Sequence, residues 1–247
     1  MSGVSIAGRA ALVTGAASGL GRAVAVALAR AEVNVVIGDI DGPGAAETLN
    51  QVEGFGGFGV VEHFDVTAPE HRRDLITRLR AESPGLDILV NVAGIDLPGY
   101  LHDVDLSDFQ RVNAVNYEGP VMLMSEFLRH FPAGTAGPRA EIVNIVSISA
   151  ITVGSGALAY NSSKAAFAKA TEIAQRDALE FGYHCRIQGI MPAAMDTPMM
   201  HRWGIPTDRM MAPQVVAAEV LHALQRDETA YAQNLIITPV KEPEWPR

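Results

Sequence analysis

The stretch from residue 10 to residue 31 constrains the fold more than any other part of the chain. It begins with a short apolar run, Ala10–Thr14, of the kind that forms a buried strand. A glycine-rich turn follows at once, and residues 22–31 then carry a helical pattern. A strand, a glycine-rich turn and a helix in this order are typical of the first half of a dinucleotide-binding unit.

The turn contains three glycines in the spacing G-x-x-x-G-x-G. Glycine permits a tight turn and lets backbone N–H groups approach a ligand, while the N-terminus of the following helix attracts negative charge. The turn therefore indicates a site for the pyrophosphate of a dinucleotide, formed by Gly15, Ser18, Gly19, Leu20 and Gly21. A plain connection between strand and helix is the alternative interpretation.

Asp39 closes a second apolar run, residues 33–38, about 20 positions beyond the glycine turn. A carboxylate at that place can bind the ribose hydroxyls of an adenosine and repel a 2′-phosphate. No lysine or arginine stands at Ser18 or directly after Asp39, so we expect NAD rather than NADP, with Asp39 and Ile40 beside the adenosine. Asp41 is a less favoured candidate for the same role, and a solvated loop aspartate is the alternative.

Strands and helices alternate along the rest of the chain. We expect further helices at residues 42–52, 69–82, 106–131, 157–181 and 213–226, and further strands at residues 59–64, 86–91, 142–146, 186–191 and 235–238. Because no linker interrupts this alternation, residues 1–247 are predicted to form a single α/β domain.

Two polar residues stand out within these elements. Asp65 follows the third strand together with Val66, and it could accept from an adenine amino group or cap the helix that begins near Pro69. Asn116 lies in the middle of the helix predicted over residues 106–131. Asparagine is a poor residue for a helix interior, so we expect its side chain, or a local kink, to have a role.

The most suggestive pair for chemistry is Tyr160 and Lys164. Their spacing of four residues places both on one face of the helix predicted over residues 157–181, one turn apart. A lysine charge near a phenol lowers the phenol pKa from about 10, which creates an acid/base group usable near neutral pH. Ser147 follows the fifth strand, thirteen residues before the tyrosine. A Tyr-x-x-x-Lys sequence also occurs by chance in many helices.

Composition excludes several other classes of protein. The net charge of −9 argues against nucleic acid or an anionic membrane as partner, and 48% apolar residues support a large core. Cys185 is the single cysteine, and we expect a buried structural thiol. The seven histidines lack metal-ligand spacing, so no metal is expected. With neither a signal peptide nor an apolar run near the ~20 residues of a membrane helix, we expect a cytoplasmic protein.

Together these features resemble the short-chain dehydrogenase/reductase family over roughly residues 6–240. The segments that carry the resemblance are residues 14–21 (TGAASGLG), residues 91–94 (NVAG), Asn116, Ser147, Tyr160, Lys164 and residues 192–197 (PAAMDT). The chain departs from the family pattern at Val92, Val146 and Ala193, and the sequence Thr-Pro-Val at residues 238–240 replaces the usual Asp-Gly-Gly.

The resemblance implies a Rossmann-type, doubly wound parallel sheet of seven strands with helices on both faces. It also implies hydride exchange between NAD(P) and an alcohol or ketone carbon. Tyr160 would be the general acid/base, Lys164 would lower the tyrosine pKa and hold the nicotinamide ribose, Ser147 would bind the substrate oxygen, and Asn116 would anchor a water. The remaining positions implied on the cofactor side are Asp65, Val66, Asn91, Ala93, Gly94, Pro192 and Thr197. Helices beginning near residues 106 and 157 would build a homodimer or homotetramer.

Residues 193–212 are rich in methionine and interrupted by proline, which suits a substrate lid. Candidate pocket residues are Ile95, Leu97, Tyr100, Ile151, Val153, Met195, Met199, Met200 and Trp203. Their apolar character favours a hydrophobic or ring-bearing small molecule. We therefore predict an NAD-dependent oxidoreductase that interconverts a secondary alcohol and its ketone. A related epimerase, a double-bond reductase and a non-catalytic NAD-binding sensor or scaffold are the alternatives.

Overall fold

The computed structural model describes residues 4–82 and 85–241, so the ends of the predicted domain at residues 1–3 and 242–247, and residues 83–84, lie outside it. The strands are β1 (Ala10–Thr14), β2 (Asn34–Asp39), β3 (Gly59–His63), β4 (Leu86–Asn91), β5 (Ala140–Ile145), β6 (Cys185–Pro192) and β7 (Leu235–Ile237). The α-helices are α1 (Gly19–Arg30), α2 (Gly42–Gly54), α3 (Pro69–Glu82), α4 (Leu106–Asn113), α5 (Gly119–Leu128), α6 (Leu158–Glu180), α7 (Pro198–His201) and α8 (Pro213–Leu224).

The strands form one parallel sheet of seven strands, as predicted, and their order is β3-β2-β1-β4-β5-β6-β7. Thr14 at the end of β1 pairs with Gly38 on one side and with Asn91 on the other, so neighbouring strands end at the same level. The chain winds outward in one direction from β1 and in the other from β4. Ligands bind such sheets in the crevice at this switch point, beyond the carboxyl ends of the strands.

Helices cover both faces of the sheet because the strands are apolar on both sides. On one face, Val24 and Leu28 of α1 and Val220 of α8 are buried against the sheet. On the other face, Phe127 of α5 and Phe167 of α6 occupy a second core layer. The central strands β1, β4, β5 and β6 are buried along their whole length, as expected for parallel strands between two helical layers.

Two helices differ from the sequence-based prediction. Helix α1 begins at Gly19, before the predicted residue 22, so Gly19 and Gly21 form its first turn. The helix predicted over residues 106–131 is divided by a π-helical turn, Ala114–Glu118, between α4 and α5. The backbone N–H of Gly119 donates to the carbonyl of Ala114, the five-residue step of a π-helix. The irregular turn therefore includes Asn116, where a role for the side chain or a local kink was expected.

A buried ion pair joins β5 and β6. Arg186 on β6 donates to the carboxylate of Glu141 on β5 at 2.8 Å, and both side chains are buried. Its other nitrogens donate to backbone carbonyls that include those of Ala223 and Leu224 at the end of α8. Cys185 is buried as predicted, and burial raises the pKa of its thiol.

Among residues 4–82 and 85–241, no helix is long and apolar enough to cross a membrane. The same residues contain no cluster of three or more histidine, cysteine, aspartate or glutamate side chains arranged to hold a metal ion.

Candidate active site

The carboxyl ends of the strands open into one large cavity, of about 930 Å³. Most of the residues predicted for the site line its wall: Gly15, Ser18, Gly19, Leu20, Gly21, Asp39, Ile40, Asp65, Val66, Ala93, Gly94, Ile95, Ser147, Val153, Tyr160, Lys164, Pro192, Met195, Thr197, Met199, Met200 and Trp203. The predicted residues that lie off the wall are Asn91, Leu97, Tyr100, Asn116 and Ile151. The cavity thus joins the glycine turn to the tyrosine, the lysine and the lid.

The glycine turn follows β1 and packs against the loop after β4. Gly15 has a φ of +66°, and a Cβ atom there would lie 2.7 Å from the Cα of Ala93. A Cβ at Gly21 would lie 2.0 Å from the carbonyl oxygen of Gly15. Only glycine fits these two positions, which lets the first turn of α1 close onto the loop and present backbone N–H groups to the cavity. This arrangement fits the pyrophosphate of a dinucleotide.

Asp39 at the end of β2 faces the same turn. One carboxylate oxygen accepts from the backbone N–H of Ala17 at 2.9 Å, and the other accepts from that of Asp41 at 3.0 Å. Asp41 instead caps α2, because its side chain accepts from the N–H of Gly44. Of the two aspartates only Asp39 lines the cavity, so the position of Asp39 fits the predicted ribose site and that of Asp41 does not.

Asp65 lies on the cavity wall after β3, and its side chain closes a local turn. One carboxylate oxygen accepts from both the backbone N–H and the hydroxyl of Thr67, at 2.8 and 2.7 Å. Burial raises the pKa of Asp65, but the bonds from Thr67 outweigh burial, and the net pKa lies below its ordinary value. The carboxylate therefore braces the turn ahead of α3, and its partners do not include the first N–H groups of that helix.

Asn91 is the predicted cofactor residue that the fold turns away from the cavity. Its amide nitrogen donates to the side-chain oxygen of Asn144 on β5 at 2.9 Å, inside the sheet. Asn144 in turn donates to the hydroxyl of Thr171 on α6. The side chain of Asn91 thus joins two strands and does not contact the cavity.

Ser147, Tyr160 and Lys164 meet on one side of the cavity. Ser147 follows β5 and is buried, while Tyr160 and Lys164 lie one turn apart on α6. The Lys164 Nζ donates to the carbonyl of Ile145 at 3.0 Å and lies 5.9 Å from the centre of the Tyr160 ring. The strand end and the helix therefore bring a hydroxyl, a phenol and an ammonium together, as the spacing predicts.

The pKa values of this group differ from the sequence-based expectation. Burial raises the pKa of Tyr160 to about 12; hydrogen bonding with Ser147 lowers it, and the charge of Asp96 raises it further. Burial also lowers the pKa of Lys164 to about 8. The net shift of the Tyr160 pKa is thus upward and not the predicted lowering, because desolvation of the phenolate outweighs the groups that favour it.

Asn116 lies behind the cavity wall and binds the loop after β4. Its side-chain oxygen accepts from the N–H of Ile95 and its nitrogen donates to the carbonyl of Ile95, both at 2.8 Å. The nitrogen also donates to the hydroxyl of Ser163 on α6 at 3.2 Å. A Cβ at Gly94 would lie 3.4 Å from the Asn116 oxygen and 3.6 Å from the Lys164 Nζ. The side chain therefore fixes the loop after β4 beside the lysine.

Residues 193–212, the predicted lid, contribute several residues to the cavity wall. The segment contains the short helix α7, a 3₁₀ turn at Thr207–Arg209 and a bridge between Met195 and Met211. A small separate core holds it together, formed by Ala194, Ile205 and Met210. Ile151 and Tyr100, two predicted pocket residues, stand exposed outside the cavity wall.

Asp96 and Arg111 line the cavity and were missed by the sequence analysis. Asp96 is only 5% exposed, and its carboxylate accepts from the indole N–H of Trp203 in the lid at 2.8 Å. An acidic residue two positions after Gly94 was visible in the sequence. Its burial was not, because the partner that covers it lies 107 residues further along the chain.

Comparison with known proteins places this arrangement in context. The model of the family described as short chain dehydrogenase matches residues 9–206. Cis-4-hydroxycyclohexanecarboxylate dehydrogenase of Sinomonas cyclohexanicum is 32% identical, over 95% of this chain and 96% of that protein. 1-Deoxy-11-beta-hydroxypentalenate dehydrogenase of Streptomyces exfoliatus is 30% identical, over 89% and 80%. A solved RhlG/NADP active-site complex from Pseudomonas aeruginosa superimposes with a TM-score of 0.83 at 27% identity, over 95% of this chain and 96% of that one.

Proposed function

The chain belongs to the short-chain dehydrogenase/reductase family, and on that premise we propose that it is an NAD-dependent enzyme that interconverts a secondary alcohol and its ketone. The observation that carries the proposal is the meeting of Ser147, Tyr160 and Lys164 on the wall of the cavity that also contains the glycine turn. These groups offer a proton donor and acceptor, a hydrogen-bonding hydroxyl and a fixed cation beside one binding space.

Each residue has a distinct task in this mechanism. A nicotinamide cofactor held by the glycine turn and Asp39 would supply the hydride chemistry. The Tyr160 phenolate accepts the hydroxyl proton during alcohol oxidation, and the phenol returns it during ketone reduction. Ser147 holds the substrate oxygen next to the phenol, and the Lys164 ammonium, anchored on the carbonyl of Ile145, stabilises the phenolate as it forms. Asn116 positions the loop that faces them.

The protonation state of Tyr160 affects which direction of the reaction is favoured at a given pH. With the pKa of Tyr160 raised to about 12, the phenol keeps its proton at neutral pH. The group is then ready to act as an acid toward a ketone, whereas alcohol oxidation needs the phenolate. We expect ketone reduction to proceed at neutral pH and alcohol oxidation to become faster as the pH rises.

The choice of NAD rests on Asp39. Its carboxylate lies on the cavity wall at the end of β2, held toward the glycine turn by two backbone N–H groups. A negative charge there accepts hydrogen bonds from ribose hydroxyls and repels a 2′-phosphate. The RhlG complex named above contains NADP, so the family relationship does not decide the cofactor and Asp39 supports NAD.

The substrate end of the cavity supports an apolar, ring-bearing alcohol. Met195, Met199, Met200 and Trp203 line it, and methionine adapts its shape to apolar ligands. The two relatives named above are, by their names, dehydrogenases of ring-bearing hydroxy acids. A hydroxylated ring is therefore the substrate class we propose.

Assembly through the helices on one side of the molecule is part of the proposal. Large apolar side chains are exposed there: Leu106 on α4, Met122 on α5, Ile173 and Leu179 on α6, and Phe181 just after it. We propose that these helices pair between copies to form a homodimer or homotetramer. Size-exclusion chromatography with light scattering should give a multiple of the 26.3 kDa chain mass. A purely monomeric protein would contradict this part of the proposal.

The proposed activity has a direct test in Tyr160→Phe. Fluorescence titration should show NADH binding close to that of the wild type, and binding tighter than that of NADPH. Oxidation of cyclic secondary alcohols should fall by about 10²–10⁴-fold, since the acid/base group is gone. Tyr231→Phe is the matched control, because Tyr231 is exposed and lies outside the cavity. Full turnover by Tyr160→Phe would refute the mechanism, and binding without net NADH formation would indicate an epimerase or a sensor.

A further inference from the structure

Asp96 has an unusual position for a charged side chain. It lies on the wall of the active-site cavity, in the loop after β4, and is only 5% exposed. One carboxylate oxygen, Oδ2, accepts from the indole N–H of Trp203 at 2.8 Å. The other oxygen, Oδ1, is buried and has no hydrogen-bond partner within the described residues. A buried polar atom left unpaired is costly, so such an atom beside a binding cavity is well suited to contact a ligand.

The surroundings decide what kind of group Oδ1 can take. Arg202 donates to the backbone carbonyl of Asp96, not to its carboxylate. Apolar lid residues, including Met199 and Met200, line the same cavity. The Asp96 charge also acts on Tyr160, so the carboxylate lies within electrostatic range of the reacting phenol. A ligand group that meets Oδ1 is therefore held in the same cavity as the reacting oxygen.

We propose that Oδ1 of Asp96 accepts a hydrogen bond from a second donor group on the substrate, away from the carbon that is oxidised. The inference rests on the proposed function and specifies its substrate class: an apolar ring alcohol that carries a further hydroxyl or ammonium group. The same carboxylate disfavours a substrate whose carboxylate group would lie against it, because like charges repel in a desolvated site. Asp96 is thus a specificity-determining residue.

The test compares substrates that differ by one group. The kcat/KM of cyclohexanol is compared with those of the cis and trans isomers of the cyclohexanediols, which add a hydroxyl. It is also compared with that of 4-aminocyclohexanol, which adds an ammonium group. At least one hydroxyl or ammonium compound should exceed cyclohexanol in kcat/KM by roughly 10–100-fold, the effect expected of one hydrogen bond to a charged group. A diol preference identifies a hydroxyl as the donor, and an amino alcohol preference identifies an ammonium.

Asp96→Asn should abolish a preference for the ammonium compound, and it should reduce a preference for a diol to the smaller effect of a bond between neutral groups, because a hydroxyl can also accept from the amide. Its amide oxygen can still accept from Trp203, while the atom in place of Oδ1 becomes a donor and cannot accept. Trp203→Phe is the matched variant, because it removes the bond to Oδ2 and disturbs the lid but keeps Oδ1. It should change KM for all these alcohols together and retain their ratio. Loss of the ratio in Trp203→Phe as well would show that Asp96 acts only by holding the lid, which overturns the inference.

The wild-type enzyme alone also keeps the inference falsifiable, should a variant fail to fold. Equal kcat/KM for cyclohexanol and for every compound with a second donor overturns the role of Asp96 and leaves the proposed activity standing. An absence of turnover with all ring alcohols, with either NAD or NADP, overturns the proposed activity and the inference together.

Discussion

Comparing Gly15→Ala with Gly8→Ala separates two reasons for glycine in the turn after β1: its left-handed backbone conformation and its close contact with Ala93. Gly15 has a φ of +66°, and an added Cβ would lie 2.7 Å from the Ala93 Cα and 2.8 Å from its nitrogen. Gly8 has a similar φ of +76°, but no atom lies within 4 Å of a Cβ there. Gly8→Ala therefore introduces the backbone strain alone, and Gly15→Ala introduces the strain together with an overlap.

The expected magnitudes follow from these distances. A left-handed conformation costs an alanine about 1–2 kcal/mol, so Gly8→Ala should lower the free energy of unfolding by about that amount. An overlap with backbone atoms, which cannot rotate away, adds about 1–3 kcal/mol. Gly15→Ala should therefore lose about 2–5 kcal/mol in total. The movement that relieves the overlap shifts the turn or the Ala93 loop, so NADH affinity should fall by about tenfold or more.

Urea unfolding and NADH fluorescence titration measure the two effects on the same preparations. Gly8→Ala should bind NADH as the wild type does, because its turn is exposed and outside the cavity. If Gly15→Ala binds NADH with wild-type affinity, the glycine turn is not the cofactor site. If the two variants lose equal stability, the close contact with Ala93 has no energetic weight.

Three further predictions use other parts of the molecule. Asp39→Asn should raise the affinity for NADPH relative to NADH by about tenfold, because the charge that repels a 2′-phosphate is removed; an unchanged ratio would contradict the ribose assignment. The kcat/KM for alcohol oxidation should climb as the pH rises to about 8, because the Tyr160 phenolate fraction grows below its raised pKa while Lys164, whose pKa is lowered to about 8, still carries its charge. Asp96→Asn should move that rise to lower pH, since the aspartate charge raises the pKa, and a pH-independent rate would refute both statements. Glu141→Gln should cost about 3 kcal/mol in urea unfolding by leaving the buried Arg186 without its carboxylate, and should leave NADH affinity unchanged.

The sheet was largely predictable because its signals are local. The strands were read from short runs rich in apolar residues, and the bounds of β1 and β4 agree with the prediction at both ends. The pairing of Tyr160 with Lys164 on one face was equally local, since it depends only on the period of a helix. Alternation of strands and helices then left few topologies open.

Side-chain direction was less predictable, because it depends on contacts distant in the chain. Asn91 belongs to a motif associated with the cofactor, yet its amide is taken up by Asn144, 53 residues later. Asp96 is buried by Trp203, and nothing near Asp96 in the sequence indicates that contact. The direction of the Tyr160 pKa shift was mispredicted for the same reason. Helix spacing describes the distance of Tyr160 from Lys164, whereas desolvation of the phenol depends on all the residues around it.

In the π-helical turn Ala114–Glu118, the number of residues matters more for packing than their types do. An α-helix advances about 100° per residue, so one residue removed from Ala114–Glu118 would rotate α5 by that angle relative to α4. Leu128 would then take the place of Phe127 against the sheet, and Leu123 would move to the exposed position of Met122. Evolutionary insertions and deletions should therefore avoid this segment even where substitutions are accepted.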